Sequence, residues 1–315
     1  MKKSLLFGED IISADQFDKE KLISIINLSI KMEKLVQRKG STDALKGKIV
    51  TALFYEPSSR TFGSFLAATQ RLGGGVIPIQ GVTYSSVSKG ETLPDTIRTF
   101  ASYSDLIVLR HPEVGSAKIA AEFCNKPIIN AGDGVGEHPT QALLDYFTIS
   151  KKFKVIDKIT VTMVGDLLNG RTIHSILKLL SLHSKVRINL VSPQILRLPQ
   201  ELKNFIVSRG VKMYETEQLD DVLPDTDVLY VTRVQKERFT DLDSYEKVEK
   251  YYVITGETLK KVKKSAIIMH PFPRVGEISM EVDLDPRAVY ITEQMKNGMY
   301  VRMALLALVL RKSFL

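Results

Sequence analysis

A single cysteine, Cys124, leaves this 315-residue chain without material for a disulfide framework or a cysteine-cluster metal centre. That scarcity suits a reducing compartment such as the cytoplasm. Long hydrophobic runs are missing as well. The longest, Met303 to Leu310, is bracketed by Arg302 and Arg311 and falls far short of the ~20 residues a membrane helix needs. It predicts a buried terminal helix and no membrane partner. Residues 1–10 have two lysines but only a three-residue apolar stretch before acids arrive, which does not make a signal peptide. Internal repeats and low-complexity tracts are absent. The formal charge of +8 invites a nucleic-acid partner, yet the basic residues are spread out, with no dense cluster or aromatic RNA-binding motif. A basic surface that attracts small anionic substrates accounts for the charge equally well.

With 44% hydrophobic residues the chain can fill real cores, and its length suits two domains of about 150 residues each. Apolar runs predict strands at 48–55, 76–79, 105–110 and 127–130, then at 159–164, 186–191, 211–214, 227–231, 266–269 and 288–291. Helical spacing predicts helices at 16–38, 60–72, 91–102, 115–124, 138–151, 171–183, 199–208 and 257–262, and a last one from about 294. Alternation of this kind predicts an α/β protein: two doubly wound domains, each with a central parallel sheet, joined by interdomain helices. The expected division is 1–137, completed by the terminal helix 293–315, and 138–292. Ligands in such folds bind beyond the carboxyl ends of strands.

The informative residues fall at those ends. Ser58-Ser59-Arg60-Thr61 sits where a strand hands over to a helix, so backbone N–H groups, hydroxyls and one guanidinium gather there, as a phosphate requires. Arg110 ends the strand 105–110 and precedes His111-Pro112. Tyr84 to Thr92 is a serine-rich loop whose Lys89 is suited to bring an ammonium to a phosphate, as a lid does. His138-Pro139-Thr140-Gln141 opens a helix after a glycine-rich loop, with His138 and Gln141 on one face. Gly165 to Thr172 resembles a nucleotide-binding P-loop with Arg171 in place of the lysine, which makes an NTP-binding protein the alternative reading. Arg171 and Arg233 both lie at strand-to-helix ends, and two guanidiniums suit a dicarboxylic amino acid. His270-Pro271-Phe272-Pro273-Arg274 forms a rigid turn in which an X-Pro bond is a candidate for the cis form.

Taken in order, these segments make the chain similar, over nearly its full length, to the catalytic subunits of the aspartate carbamoyltransferase family, within the transcarbamoylase superfamily. Thr232-Arg233-Val234-Gln235 and His270-Pro271-Phe272-Pro273 favour the aspartate branch over the ornithine branch. The resemblance implies transfer of a carbamoyl group from carbamoyl phosphate to L-aspartate, in pyrimidine biosynthesis, with no cofactor and no metal. It makes 1–137 the carbamoyl-phosphate-binding domain and 138–292 the aspartate-binding domain. Arg60, Thr61, Lys89, Arg110 and His138 become the catalytic group. Carbamoyl phosphate would touch Ser59, Arg60, Thr61, Ser85, Arg110, His138 and Gln141 and the backbone at Phe272-Pro273; aspartate would touch Lys89, Arg171, Arg233 and Gln235. Ser85 and Lys89 would reach a neighbouring subunit of a homotrimer, and a separate regulatory chain is a partner that such subunits can have. Two positions depart from the family: Phe272 stands where leucine is usual, and Gly276 where aspartate or asparagine is usual. The first bears on the shape of the loop, the second on subunit or domain contacts.

Overall fold

Short apolar runs, most of them followed within three residues by glycine or proline, form the strands of this protein. The computed structural model describes residues 4–81, 86–236, 239, 248 and 251–313. Ile49–Phe54 (β1), Gly75–Gln80 (β2), Leu106–His111 (β3) and Ile128–Asp133 (β4) form a parallel sheet in the order β2-β1-β3-β4. Thr160–Val164 (β5), Arg187–Val191 (β6), Lys212–Thr216 (β7), Val228–Val231 (β8) and Ile267–Met269 (β9) form a second, in the order β7-β6-β5-β8-β9. Every named pairing in both sheets is parallel. The central strands are largely buried on both faces, so each sheet needs helices on both sides.

The helices that supply this cover are Lys19–Lys39 (α1), Ser59–Arg71 (α2), Leu93–Tyr103 (α3), Ser116–Glu122 (α4), Pro139–Lys152 (α5), Arg171–Leu180 (α6), Gln200–Ser208 (α7), Gly256–Lys261 (α8) and Met295–Leu310 (α9). Their limits follow from caps. Asp18 accepts the Lys21 N–H at 2.8 Å to open α1, which stops at Gly40 with φ of +77°. Thr92 caps α3 ahead of Pro94. Apart from the half-buried Met299, residues from Asn297 to Val309 are buried all round α9, as expected of a helix with no polar face. Among the described residues no helix is long and apolar enough to cross a membrane.

By contacts the chain divides into Met1–Phe147 with Lys296–Leu315, and Thr148–Met295. The division falls within α5, later than the boundary expected at 137. In the first unit, Leu53, Ile97, Ile107, Leu109, Ala120 and Ile128 belong to one buried cluster. In the second, Val164, Val191, Leu229, Val231, Ile268 and Tyr290 do.

One expected strand does not form. Residues 288–291 contribute a single bridge, Ala288 to Ile268, and Tyr290–Gln294 then winds into a wide helical turn. The His270 N–H donates instead to the Gln294 side chain at 3.0 Å, and the buried Tyr290 hydroxyl donates to Asp283 at 2.6 Å. Side-chain bonds thus take the place of another ladder.

Candidate active site

Each sheet has one point where its strand order reverses. From β1 the chain moves to β2 on one side and later to β3 on the other; from β5 it moves to β6 and β7, with β8 on the opposite side. Loops leaving adjacent strands diverge there and open a crevice at the carboxyl ends.

At the β1/β3 crevice, Phe54 pairs with Arg110 in register. The α2 ladder starts with the Phe62 N–H donating to the Ser58 carbonyl, so the N–H groups of Ser59, Arg60 and Thr61 lie ahead of it. Ser58 makes no side-chain cap, Ser59 and Arg60 are exposed, and Thr61 is buried. This is an anion-receptive helix start. The Arg110 guanidinium donates to the Ala131 carbonyl at 3.3 Å and lies 3.4 Å from the Glu56 carboxylate. Its neighbour His111 accepts the Glu113 N–H on Nδ1, and burial pushes its pKa down, which favours the neutral ring.

β4 delivers the third component. Asp133 accepts the N–H groups of Glu137 at 2.7 Å and Gly115 at 2.8 Å, which shapes the loop before α5. Gly134 is required there: its φ is +50°, and a Cβ would lie 2.5 Å from the Pro112 carbonyl oxygen. His138 is buried, and its carbonyl accepts the N–H groups of Gln141 at 3.0 Å and Ala142 at 3.1 Å. Gln141 donates from Nε2 to Asp145 at 3.0 Å. Ser59–Thr61, Arg110, His138 and Gln141 therefore leave three adjacent strands of one sheet. Lys89 ends a short turn at Ser86–Lys89 and is exposed; no hydrogen bond or ion pair among the described residues joins it to them. Ser85 lies outside the described residues.

Sequence reasoning missed Asp145 and did not foresee the burial of Arg302. Arg302, which brackets an apolar run in the sequence, is buried: Nη1 donates to Ser64 at 2.7 Å, and the guanidinium lies 5.0 Å from the Phe65 ring centroid. Asp145 is fully buried in α5. The available signal was one acid inside Ala142-Leu143-Leu144-Asp145-Tyr146-Phe147, where a charge needs a partner.

At the β5/β8 crevice, Val164 pairs with Val231, and the loops that follow carry Arg171 and Arg233, both half-buried. Gln235 ties the two loops together, donating from Nε2 to the Asn169 carbonyl at 2.9 Å. Arg238, from the same segment, lies outside the described residues. The glycines of the P-loop-like stretch have another cause. Gly165 has φ of +116°, and a Cβ there would lie 2.2 Å from the Thr232 carbonyl oxygen; at Gly170 it would meet the Asp166 carbonyl oxygen at 2.5 Å. The buried Asp166 carboxylate accepts the Asn169 N–H at 2.9 Å. A P-loop directs such donors at a phosphate. Here a protein carboxylate holds one of them, which argues against the NTP-binding alternative.

The turn after β9 contains a cis Phe272-Pro273 bond, with Phe272 at φ of +50°. The Phe272 N–H donates to His270 Nδ1 at 2.9 Å, so the ring hydrogen is on Nε2, 2.6 Å from Glu277. The Phe272 ring packs edge-on to His270 and Tyr290, so the second unit's core takes up the larger side chain. Gly276 has φ of +129°, a conformation that glycine adopts without strain.

Burial opposes ionisation of Glu277, but the hydrogen bond with His270 and that from the Val275 N–H hold its carboxyl below the usual 4.5. A folded value below the unfolded one contributes stability that is full above about pH 4.5 and is lost as pH falls through the depressed value. Glu277→Gln should therefore flatten the acid limb of stability, read as urea midpoints from about pH 5 down to about pH 3. An unchanged acid limb would contradict this assignment.

Two doubly wound α/β units, each with basic side chains where its strand order reverses, define a class of protein that receives anions at sheet switch points. A family model described as aspartate/ornithine carbamoyltransferase, carbamoyl-P binding domain, matches residues 9–151, and one described as the Asp/Orn binding domain matches residues 157–309. The chain belongs to the aspartate/ornithine carbamoyltransferase family. It is 51% identical over 302 residues to the aspartate carbamoyltransferase catalytic subunit of Thermoplasma acidophilum, covering 96% of this chain and 98% of that one. It is also 52% identical over 304 residues to the multifunctional protein pyr1-3 of Dictyostelium discoideum, but spans only 14% of that protein's length. The crystal structure of aspartate transcarbamoylase from Trypanosoma cruzi, in complex with carbamoyl phosphate and aspartate, superimposes with a TM-score of 0.94 at 43% identity, covering 99% of both chains.

Proposed function

We propose that this chain is an aspartate carbamoyltransferase. It transfers the carbamoyl group of carbamoyl phosphate to the amine of L-aspartate, giving N-carbamoyl-L-aspartate and phosphate, a step of pyrimidine biosynthesis. The observation that carries this reading is the 51% identity to a catalytic subunit of that name, along almost the whole of both chains. Geometry adds the choice of acceptor. Arg171 and Arg233 follow adjacent strands of the second sheet. Paired guanidiniums there favour the two carboxylates of aspartate and oppose the second ammonium of ornithine.

Under this reading Ser59, Arg60 and Thr61 hold the phosphate, and Arg110 and His138 face the carbonyl oxygen, with Gln141 at the carbamoyl amide. The Phe272-Pro273 backbone also contacts that amide. Arg171, Arg233 and Gln235 receive aspartate. The neutral amine attacks the carbonyl carbon; a C–N bond forms, the C–O bond to phosphate breaks, and the departing phosphate takes the amine's proton. Donors fixed around both oxygens stabilise the charge as it develops. Completion of the site by Ser85 and Lys89 of a neighbouring subunit in a cytoplasmic homotrimer belongs to the same proposal, as does docking of a separate regulatory chain. The expected partners do not include nucleic acid.

The test is ureido-product formation from carbamoyl phosphate with L-aspartate and L-ornithine in parallel, without added metal. Product with aspartate alone is expected. Product with ornithine alone would overturn the assignment of Arg171 and Arg233, and no product with either would overturn the activity.

A further inference from the structure

Asp145 stands one helical turn after Gln141 on α5, fully buried, with Gln141 Nε2 at 3.0 Å from its Oδ1. A carboxylate only accepts, so the end of the Gln141 amide turned toward it must be the NH2 end. The amide oxygen is thereby directed away from Asp145, and no described residue donates to it. Arg302, from α9, is buried within electrostatic reach of Asp145. Burial pushes its pKa down to about 10; the charge of Asp145 opposes that shift, and the charge of Arg110 adds to it. Its guanidinium is held by Ser64 and by the Phe65 face, on the helix whose first turn bears Ser59–Thr61. Room for it comes from Gly298, where a Cβ would lie 2.8 Å from Arg302 Nη1.

We propose that Asp145 is a positioning residue that fixes the Gln141 amide with its oxygen toward the acyl donor, and so selects a donor whose acyl carbon bears an NH2 group. This rests on the reading of Gln141 as a carbamoyl contact. A carbamoyl NH2 satisfies that oxygen, whereas a methyl group leaves it unpaired, and sites built to hydrogen-bond a substrate group reject analogues lacking it.

The experiment compares carbamoyl phosphate with acetyl phosphate, in which methyl replaces NH2, on the full-length chain with L-aspartate as acceptor. Where acetyl transfer is too slow to follow, the inhibition constant of acetyl phosphate supplies that arm. The wild-type protein should favour carbamoyl phosphate in kcat/KM by about 10²-fold or more. In Asp145→Asn the partner amide presents either end to Gln141. Its kcat/KM for carbamoyl phosphate should fall about 10-fold or more, while the acetyl phosphate arm stays within about threefold. Equal losses with both donors would give Asp145 a merely structural role and overturn the proposal. A wild-type protein that does not discriminate would overturn it without any variant having to fold. Absence of carbamoyl transfer by the wild type would instead remove the proposed function on which it rests.

Discussion

Arg60→Ala lowers turnover about 10²–10³-fold with the fold intact. Arg60 is the second residue of α2 and is exposed, so its removal leaves no hole in the core. What is lost is a guanidinium at the helix start that would face the phosphate oxygens as the C–O bond breaks. An interaction stronger in the transition state than in the ground state lowers kcat and kcat/KM together. Steady-state kinetics of the variant, with a thermal melt of the same sample, check both halves of the expectation. Undiminished turnover would remove Arg60 from the site. A rise in KM at unchanged kcat would reduce it to ground-state binding.

Gly165→Ala destabilises the protein by about 3–5 kcal/mol, combining overpacking with strain at a positive φ. A Cβ at 2.2 Å from the Thr232 carbonyl oxygen cannot be accommodated by rotating a side chain, because its obstacle is backbone. Either β5 or the segment after β8 must move, and that segment carries Arg233 and Gln235. The KM for aspartate should therefore rise in whatever fraction remains folded. Urea unfolding measures the first effect, with Gly63→Ala as control: Gly63 lies within α2, and a Cβ there meets nothing within 4 Å. That control should stay within about 1 kcal/mol of the parent. A similarly small loss at Gly165 would show that the close approach to Thr232 does not matter.

Strands and site loops were legible in the sequence because their signals are local. An apolar run such as Ile49–Phe54, ended by Glu56-Pro57, needs no distant partner to be read as a buried strand. What escaped depends on long-range contact. Residues 288–291 have strand-like composition, yet Tyr290 and Gln294 bond to Asp283 and His270, and a helix starts in place of a strand. Gly165 and Gly170 have the spacing of a phosphate loop, but both have close backbone neighbours that spacing does not reveal, Thr232 among them. Arg302 beside an apolar run has the look of a solvated end. Only the fold brings Ser64 and Phe65 against it.

The ends of the first unit meet. Ser4 N–H donates to the Lys312 carbonyl at 2.8 Å, Ser4 Oγ to the Leu308 carbonyl at 2.7 Å, and Gly8 N–H to the Val309 carbonyl at 3.0 Å. The second unit is a continuous stretch of chain, whereas the first incorporates α9 from far downstream. Synthesis runs from the N-terminus, so on the ribosome the second unit has its full sequence while the first still lacks a buried helix. The unit begun first is completed last, and until residues 296–310 emerge the apolar surface that α9 covers is open to misassociation.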